Sequence, residues 1–396
     1  SEMCIRDSMK NTFGNALTVT LFGESHGSAI GAVIDGIAPG IKIDKNYIDT
    51  KMALRRPSGK ISTARSEKDE LLFESGVYDG HTTGTPICIL IKNADTHSSD
   101  YSALAGKARP GHADYPAFCK YHGFEDARGG GHFSGRITAA LVAAGAIVQS
   151  ALRQKGIIIG THISRLAGIN DEKMKPEDDA ERLENAEFPL VDSALEEKMK
   201  DAIMQARAEG DSVGGVLETA VIGIPKGVGE PWFDTVEGLL SHALFSVPAV
   251  KGVEFGDGFA LADMRGSESN DAYRIDEHGK AYTLTNRNGG IGGGITNGQP
   301  VVFRCAVKPT PSIAKKQETI DFLNVGNTDI EIKGRHDPCI VHRARAVVDA
   351  VTALTLADML TVRYGTDWLA REDYGIRMHR KKARAQLFGG YSRKAR

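Results

Sequence analysis

Four short runs in this chain set an imidazole or guanidinium side chain among glycines: Gly23-Glu24-Ser25-His26-Gly27, Arg109-Pro110-Gly111-His112-Ala113-Asp114, Arg128-Gly129-Gly130-Gly131-His132-Phe133-Ser134-Gly135-Arg136 and Gly334-Arg335-His336-Asp337-Pro338. A hydrophobic core has no use for that combination. A site that grips a phosphorylated anion and moves protons does. His26 and His112 each sit between small residues, and an imidazole titrates near neutral pH, which suits proton transfer; Asp337 is a candidate carboxylate partner. A structural histidine is the alternative for each taken alone.

The Gly129–Gly131 run leads into the start of a helix, where free backbone N–H groups and the helix dipole favour an anion. Arg128, His132 and Arg136 add charge at the same end; a tight turn with surface arginines is the other reading. Asp337-Pro338 opens a second helix, with Arg335 and His336 before it and Arg343 and Arg345 inside it, although Asp-Pro at a helix start is also ordinary capping. Arg55-Arg56, with Lys60 and Arg65, forms either a guanidinium clamp for carboxylates and phosphates or a solvated charge run. Lys308-Pro309-Thr310-Pro311-Ser312 offers a cation and two hydroxyls on a stiff segment, or a plain proline turn. Gly289-Gly290-Ile291-Gly292-Gly293-Gly294 lacks the strand and helix of a dinucleotide fingerprint; it packs backbone against a flat ligand or makes a strained bend. Ser25 stands in Gly-x-Ser-x-Gly order, but a strand follows instead of a helix, so the nucleophile-elbow context fails.

The elements that must position these residues follow from periodicity. Residues 17–22 and 29–34 read as strands that hold the His26 loop at a hairpin-like turn. Residues 48–54 form a short helix with Arg55-Arg56-Pro57 at its end, and 86–91 a strand. Ser134 is the expected N-cap of an apolar helix to about Lys155, closed by Gly156. Strands are expected at 157–164, 213–224, 250–255 and 300–307, and a helix at 236–245. Asp337 is the expected N-cap of the longest helix, ending at Tyr364 before Gly365. Residues 170–210 are charged and read as a peripheral insertion with one amphipathic helix, 194–208. Strict strand–helix alternation is absent, which favours an α+β fold with packed helices over a dinucleotide-binding fold.

The chain has 396 residues and 41% apolar composition, enough for a large core. Lys plus Arg total 49 against 51 Asp plus Glu, so bulk charge favours neither nucleic acid nor membrane. Five cysteines (Cys4, Cys88, Cys119, Cys305, Cys339) show no Cys-x-x-Cys spacing, which suits reduced thiols in a cytoplasm and no zinc site. The apolar stretch 139–152 is too short to span a bilayer and reads as a buried helix. Residues 1–8 precede Met9-Lys10-Asn11, which reads as a natural start, and are set aside as an upstream artefact. Residues 9–375 are expected to form a single domain and 376–396 a basic tail. Nucleic-acid binding through that tail is the reading from another class.

Gly23–Gly27, the run 131–138 and Gly334–Pro338 resemble, in order and spacing, the three signature segments of chorismate synthases, and the likeness extends from Asn11 to about Tyr374. The resemblance implies a lyase for the last step of the shikimate pathway. It would convert 5-enolpyruvylshikimate 3-phosphate to chorismate and phosphate by anti-1,4-elimination, with reduced FMN and no net redox change. It implies a homotetramer and a β-α-β sandwich, with helices packed between mixed or antiparallel sheets. His26 and His112 match the family's catalytic histidines, the first at the departing phosphate and the second protonating flavin. Asp337 matches the aspartate that assists the flavin in accepting the substrate proton, and Ser25 and Ser134 match supporting serines. Arg55, Arg56, Arg109 and Arg136 would hold the substrate's anionic groups. His132, Phe133, Ser134, Pro248, Ala249, Gly293, Lys308, Pro309, Thr310, Pro311, Ser312 and Arg335 would hold FMN. Phe133 replaces a serine common in relatives, Pro248 an asparagine found in some, and Pro57-Ser58-Gly59-Lys60 departs from the usual sequence after the paired arginines. Some members also reduce FMN with NADPH; the absence of a dinucleotide fingerprint predicts a monofunctional enzyme.

Overall fold

The computed structural model describes residues 10–57, 59, 61–62, 69–93, 106–332 and 337–370. A first antiparallel sheet contains β1 (Thr12–Phe13), β2 (Thr18–Gly23), β3 (Ala29–Asp35), β4 (Leu71–Ser75) and, after the small hairpin of β5 (Val77–Tyr78) and β6 (His81–Thr82), β7 (Ile87–Lys92). Its order is β1-β2-β3-β7-β4. The register Ile30↔Ile91, Ala32↔Ile89 and Ile34↔Ile87 puts these six apolar residues on one face, where all are 0% exposed. Alternation of side chains across the pleat is what makes that face continuous.

The second antiparallel sheet contains β8 (Ile158–Leu166), β9 (Ile169–Asn170), β10 (Gly215–Ile222), β11 (Val250–Phe255) and β16 (Val301–Val307), in the order β11-β16-β10-β8-β9. Small hairpins decorate it: β12 (Tyr273–Ile275) with β13 (Ala281–Thr283), β14 (Ile291–Gly292) with β15 (Ile295–Thr296), and β17 (Gln317–Asp321) with β18 (Gly326–Ile330). In β16, Val301, Phe303, Cys305 and Val307 alternate into the core.

The helices are α1 (Lys45–Arg55), α2 (Asp114–Tyr121), α3 (Thr138–Gln154), α4 (Pro176–Leu183), α5 (Glu196–Ala208), α6 (Val236–Ser246), α7 (Gly266–Ser269) and α8 (Val341–Tyr364). α3 touches strands of both sheets and crosses α8, which packs on β8 and β10. This is the expected sandwich, with helices between antiparallel sheets. Both central helices are buried nearly all round, as a middle layer requires. They meet at Gly145, where a Cβ would lie 2.4 Å from the Cβ of Ala350. Gly135–Gln154 has the length and hydropathy of a membrane span, but 89% of that window is buried inside the protein.

Three sequence expectations are corrected. First, the longest helix begins at Val341, and its N-cap, Ile340, makes no side-chain cap bond. Asp337 is not the cap: its carboxylate accepts from Arg343 at 2.7 Å, and the Pro338 carbonyl accepts the Val213 N–H, which holds the segment outside the helix. Second, Ser134 does cap, but the run starts as a single 3-10 turn, Gly135–Ile137, before α3; its hydroxyl accepts the Arg136 N–H at 3.2 Å.

Third, residues 170–210 are not peripheral. They hold two helices, and α4 lies so close on β8 that a Cβ on Gly160 would meet Ala180 backbone at 2.3 Å. Met199 and Ile203 of α5 are 0% exposed. The charges that suggested solvent are partly internal. Glu184, 1% exposed, accepts from the Tyr47 hydroxyl at 2.5 Å and from Arg153, with Lys51 3.6 Å away. Arg345, fully buried, donates to the carbonyls of Leu183, Glu184 and Ala186. Its charge therefore closes α4's C-terminus and is not part of an anion site at the start of α8.

Candidate active site

The triple glycine is the centre on which the predicted residues converge. Gly129, Gly130 and Gly131 have φ of 60°, 83° and 54°, a left-handed run that side chains oppose. The space confirms the need. A Cβ on Gly129 would sit 2.5 Å from the Nε2 of His26 and 2.7 Å from Ser25 Oγ. One residue on, a Cβ on Gly130 would sit 3.2 Å from the Cε1 of His112. Two histidines separated by 86 positions in sequence thus lie against consecutive glycines.

Hydrogen bonds lock the two loops together. The Ser25 N–H donates to Gly131 O at 3.2 Å, the Ser25 hydroxyl faces Arg128 O and Gly129 O, and His132 Nδ1 lies 2.8 Å from Gly23 O. The His26 turn joins β2 to β3, strand to strand, so the hydrolase elbow is absent in fact. His26 is 9% exposed.

His112 has a carboxylate beside it, and it is Asp114, not Asp337. Its Oδ1 lies 3.0 Å from His112 Nδ1 and accepts from Arg109 Nη2 at 2.6 Å, while Oδ2 accepts from Arg109 Nε at 2.8 Å and from the Arg109 N–H at 2.9 Å. Burial pushes the Asp114 carboxyl upward, but the Arg109 and His112 bonds outweigh it and hold it well below the usual carboxylate range. From the other side, the Lys308 ammonium donates to Gly111 O, and a Cβ on Gly111 would meet Pro311 at 3.3 Å. Burial, with Lys251 nearby, lowers the proton affinity of Lys308. The Lys308 N–H donates to Ala249 O at 2.9 Å, which joins the Pro248-Ala249 corner to the same patch. Ser212 Oγ holds Thr310 O, while the Thr310 hydroxyl is buried without a hydrogen-bond partner.

The arginines gather on Asp69. Its carboxylate, 0% exposed, accepts from Arg55 at 2.8 Å and from Arg136, and Arg56 Nε lies 3.6 Å away. Burial again raises this carboxyl, and the guanidinium contacts bring it below its ordinary value. Three guanidiniums against one carboxylate leave an excess of positive charge. Arg136 Nε donates to Asn93 Oδ1 at 3.0 Å, and the Asn93 amide donates to Glu24 O and Gly27 O at 2.9 Å. The cluster is thereby tied to the His26 loop. Arg343 Nε donates to Arg55 O at 2.9 Å, which brings Asp337 to the far side of the cluster.

Phe133 is 39% exposed and stands edge-on to Tyr121. Gly293 lies in the β14–β15 turn; its neighbour Gly294 accepts the Val236 N–H at the start of α6. Arg335, His336, Lys60 and Arg65 lie outside the described residues. Among the described residues no group of His, Cys, Asp and Glu could hold a metal ion. Sequence reading missed Asp69, Asn93 and Asp114 as site residues. Asp114 closes the His112 run and its spacing was a usable signal. Asp69 hides in the charged stretch Glu67-Lys68-Asp69-Glu70, and Asn93 merely follows β7.

The chain is similar to known proteins over nearly its whole length. The family model described as chorismate synthase matches residues 17–361. The chorismate synthase of Pyrococcus abyssi is 47% identical over 351 residues, covering 88% of this chain and 97% of that protein. That of Aeropyrum pernix is 44% identical over 364 residues, covering 91% and 94%. A crystal structure of chorismate synthase superposes with a TM-score of 0.71 at 28% identity, covering 96% of this chain and 99% of the other.

Proposed function

The chain belongs to the chorismate synthase family, and from that premise we propose that it eliminates phosphate from 5-enolpyruvylshikimate 3-phosphate to give chorismate, using reduced FMN. The observation that carries this reading is the apposition of His26 and His112 on Gly129 and Gly130, beside the arginine cluster at Asp69. The substrate carries two carboxylates and a phosphate, and the reaction breaks an allylic C–O bond and a C–H bond, so it needs cationic binding groups and proton carriers together.

The residues present fit a flavin mononucleotide. Glycine backbone at 129–131 offers close approach, the buried Thr310 hydroxyl awaits a partner, and Lys308 supplies a cation whose lowered proton affinity an anion would restore. Reduced FMN, when bound, supplies electron density that eases C–O cleavage without net oxidation. His132, Phe133, Ser134, Pro248, Ala249, Gly293, Lys308 to Ser312 and Arg335 are the residues assigned to hold it. Arg55, Arg56, Arg109 and Arg136 bind the substrate's anionic groups through charge-assisted bonds. His26 moves a proton at the departing phosphate. His112 is the second proton carrier, and Asp337 assists the transfer of the substrate proton. Ser25 keeps the His26 loop on the glycines, and Ser134 orients the start of α3.

We read residues 9–375 as one domain, supported by a core that is continuous from Leu17 to Leu369. Exposed Trp232, Phe233, Phe259, Tyr273 and Ile275 support burial between copies, in keeping with a homotetramer. Unpaired Cys88, Cys119, Cys305 and Cys339 are in keeping with a reducing cytoplasm. The enzyme is taken as monofunctional, with no NADPH-dependent flavin reduction. The test is an anaerobic assay with dithionite-reduced FMN, following chorismate and phosphate. One-to-one release with reduced FMN, and none with oxidised FMN, supports the reading; no release with either overturns it.

A further inference from the structure

We propose that Asp114 is the positioning residue that fixes the tautomer and direction of the His112 ring; this rests on the reading above only for its catalytic consequence. An ionised carboxylate accepts and cannot donate. With Asp114 Oδ1 3.0 Å from His112 Nδ1, the neutral ring keeps its proton on Nδ1 and presents a lone pair at Nε2. Nε2 belongs to the edge of the ring that faces Gly130, where a Cβ would come within 3.6 Å of it.

A competing contact makes the carboxylate necessary. Arg109 Nη2 lies 3.1 Å from the same Nδ1, and a guanidinium only donates. Were Nδ1 to accept from Arg109, the ring proton would be fixed on Nε2, and that atom would have no lone pair with which to take up and hand on the working proton. Asp114 prevents this by drawing Arg109 into a two-pronged pair through Nε and Nη2, and by accepting from Nδ1 itself. The Arg109 backbone N–H completes the carboxylate's partners. Asp114 is also the first residue of α2, so the helix fixes its backbone relative to the His112 loop. The Asp114 carboxylate bonds to Arg109 and His112, and it acts through His112.

The experiment records imidazole nitrogen–proton correlation spectra of the full-length protein above the histidine titration range, with His112→Gln to assign the signals. Wild type, Asp114→Asn and Asp114→Glu are compared, and kcat and KM are measured in the anaerobic assay. The expected result is an Nδ1–H ring in wild type and a shift toward Nε2–H in Asp114→Asn. There kcat falls about a hundredfold with KM nearly unchanged. Asp114→Glu recovers part of both signals. An Asp114→Asn protein that keeps the Nδ1–H tautomer, or one that raises KM at unchanged kcat, overturns the proposal and leaves Asp114 a mere tether. A wild type that shows the Nδ1–H ring but no turnover sinks the functional reading while upholding the role of Asp114 on the ring.

Discussion

Single residues here derive their roles from the company they keep. Arg55 and Arg136 would be costly to bury alone; Asp69 makes their burial tolerable and sets their spacing. Asp69 also adopts φ of 50°, a left-handed backbone that a non-glycine residue holds only under constraint from its surroundings. Asp69→Asn should destabilise the fold by about 3 kcal/mol or more, since it leaves guanidiniums uncompensated in a buried site. Urea denaturation at neutral pH measures this. The pH sign follows from the lowered carboxyl. Asp69 binds its proton less readily folded than unfolded, so its stabilisation is present above the ordinary carboxylate range. It disappears as pH falls through the lowered value. Wild type should therefore lose more stability on acidification than Asp69→Asn; equal losses would contradict the assignment. Side-chain types at His26, His112, Arg109 and Arg136 were legible as chemistry because they share runs with glycines, and Arg55-Arg56 because they are paired. The carboxylates that organise them were not, because an acidic residue that finds a buried partner across the fold looks, in sequence, like one that faces water.

At the scale of elements, periodicity carried most of the architecture. β3 and β7 announce themselves as short apolar runs, β7 and β16 alternate in burial, and α3 carries the apolar run 139–148. The errors lie where tertiary contacts override local signals. Asp337-Pro338 has the chemistry of a helix start, but the Arg343 pair and the Val213 bond hold it extended, so α8 begins later. The 170–210 segment has surface-like composition, yet Glu184, Lys51 and Arg345 satisfy one another inside. The α3–α8 crossing was invisible for a related reason: one glycine in an alanine-rich helix gives no sign of what it faces. Gly145→Val should cost about 1–3 kcal/mol or more, because its branched side chain would overlap Ala350 in a tightly packed layer. A Gly145→Val protein with an unchanged denaturation midpoint would mean that the two helices can move apart freely.

Across the whole molecule, the site is assembled from segments that are remote in sequence. The loop between β2 and β3, the end of α1, Asp69, Asn93, the glycine run before α3 and the approach to α8 are joined by consecutive hydrogen bonds, and the turn before α2, held by Lys308 after β16, packs against the glycine run. The helices between the sheets bring these loops together: α3 and α8 carry the glycine run and Asp337 at their N-terminal approaches, and the first sheet presents the His26 turn at the same end. The proposed function needs that convergence: cationic groups for a substrate with three anionic groups, beside the rings of His26 and His112. The measurement that tests it most directly is kcat of His26→Ala and of His112→Ala in the anaerobic reduced-FMN assay, each checked for an unchanged thermal midpoint. Each variant should lose about a hundredfold or more. A folded variant of either histidine that turns over within about threefold of wild type would contradict the claim that both rings on the glycine loop move protons in the reaction.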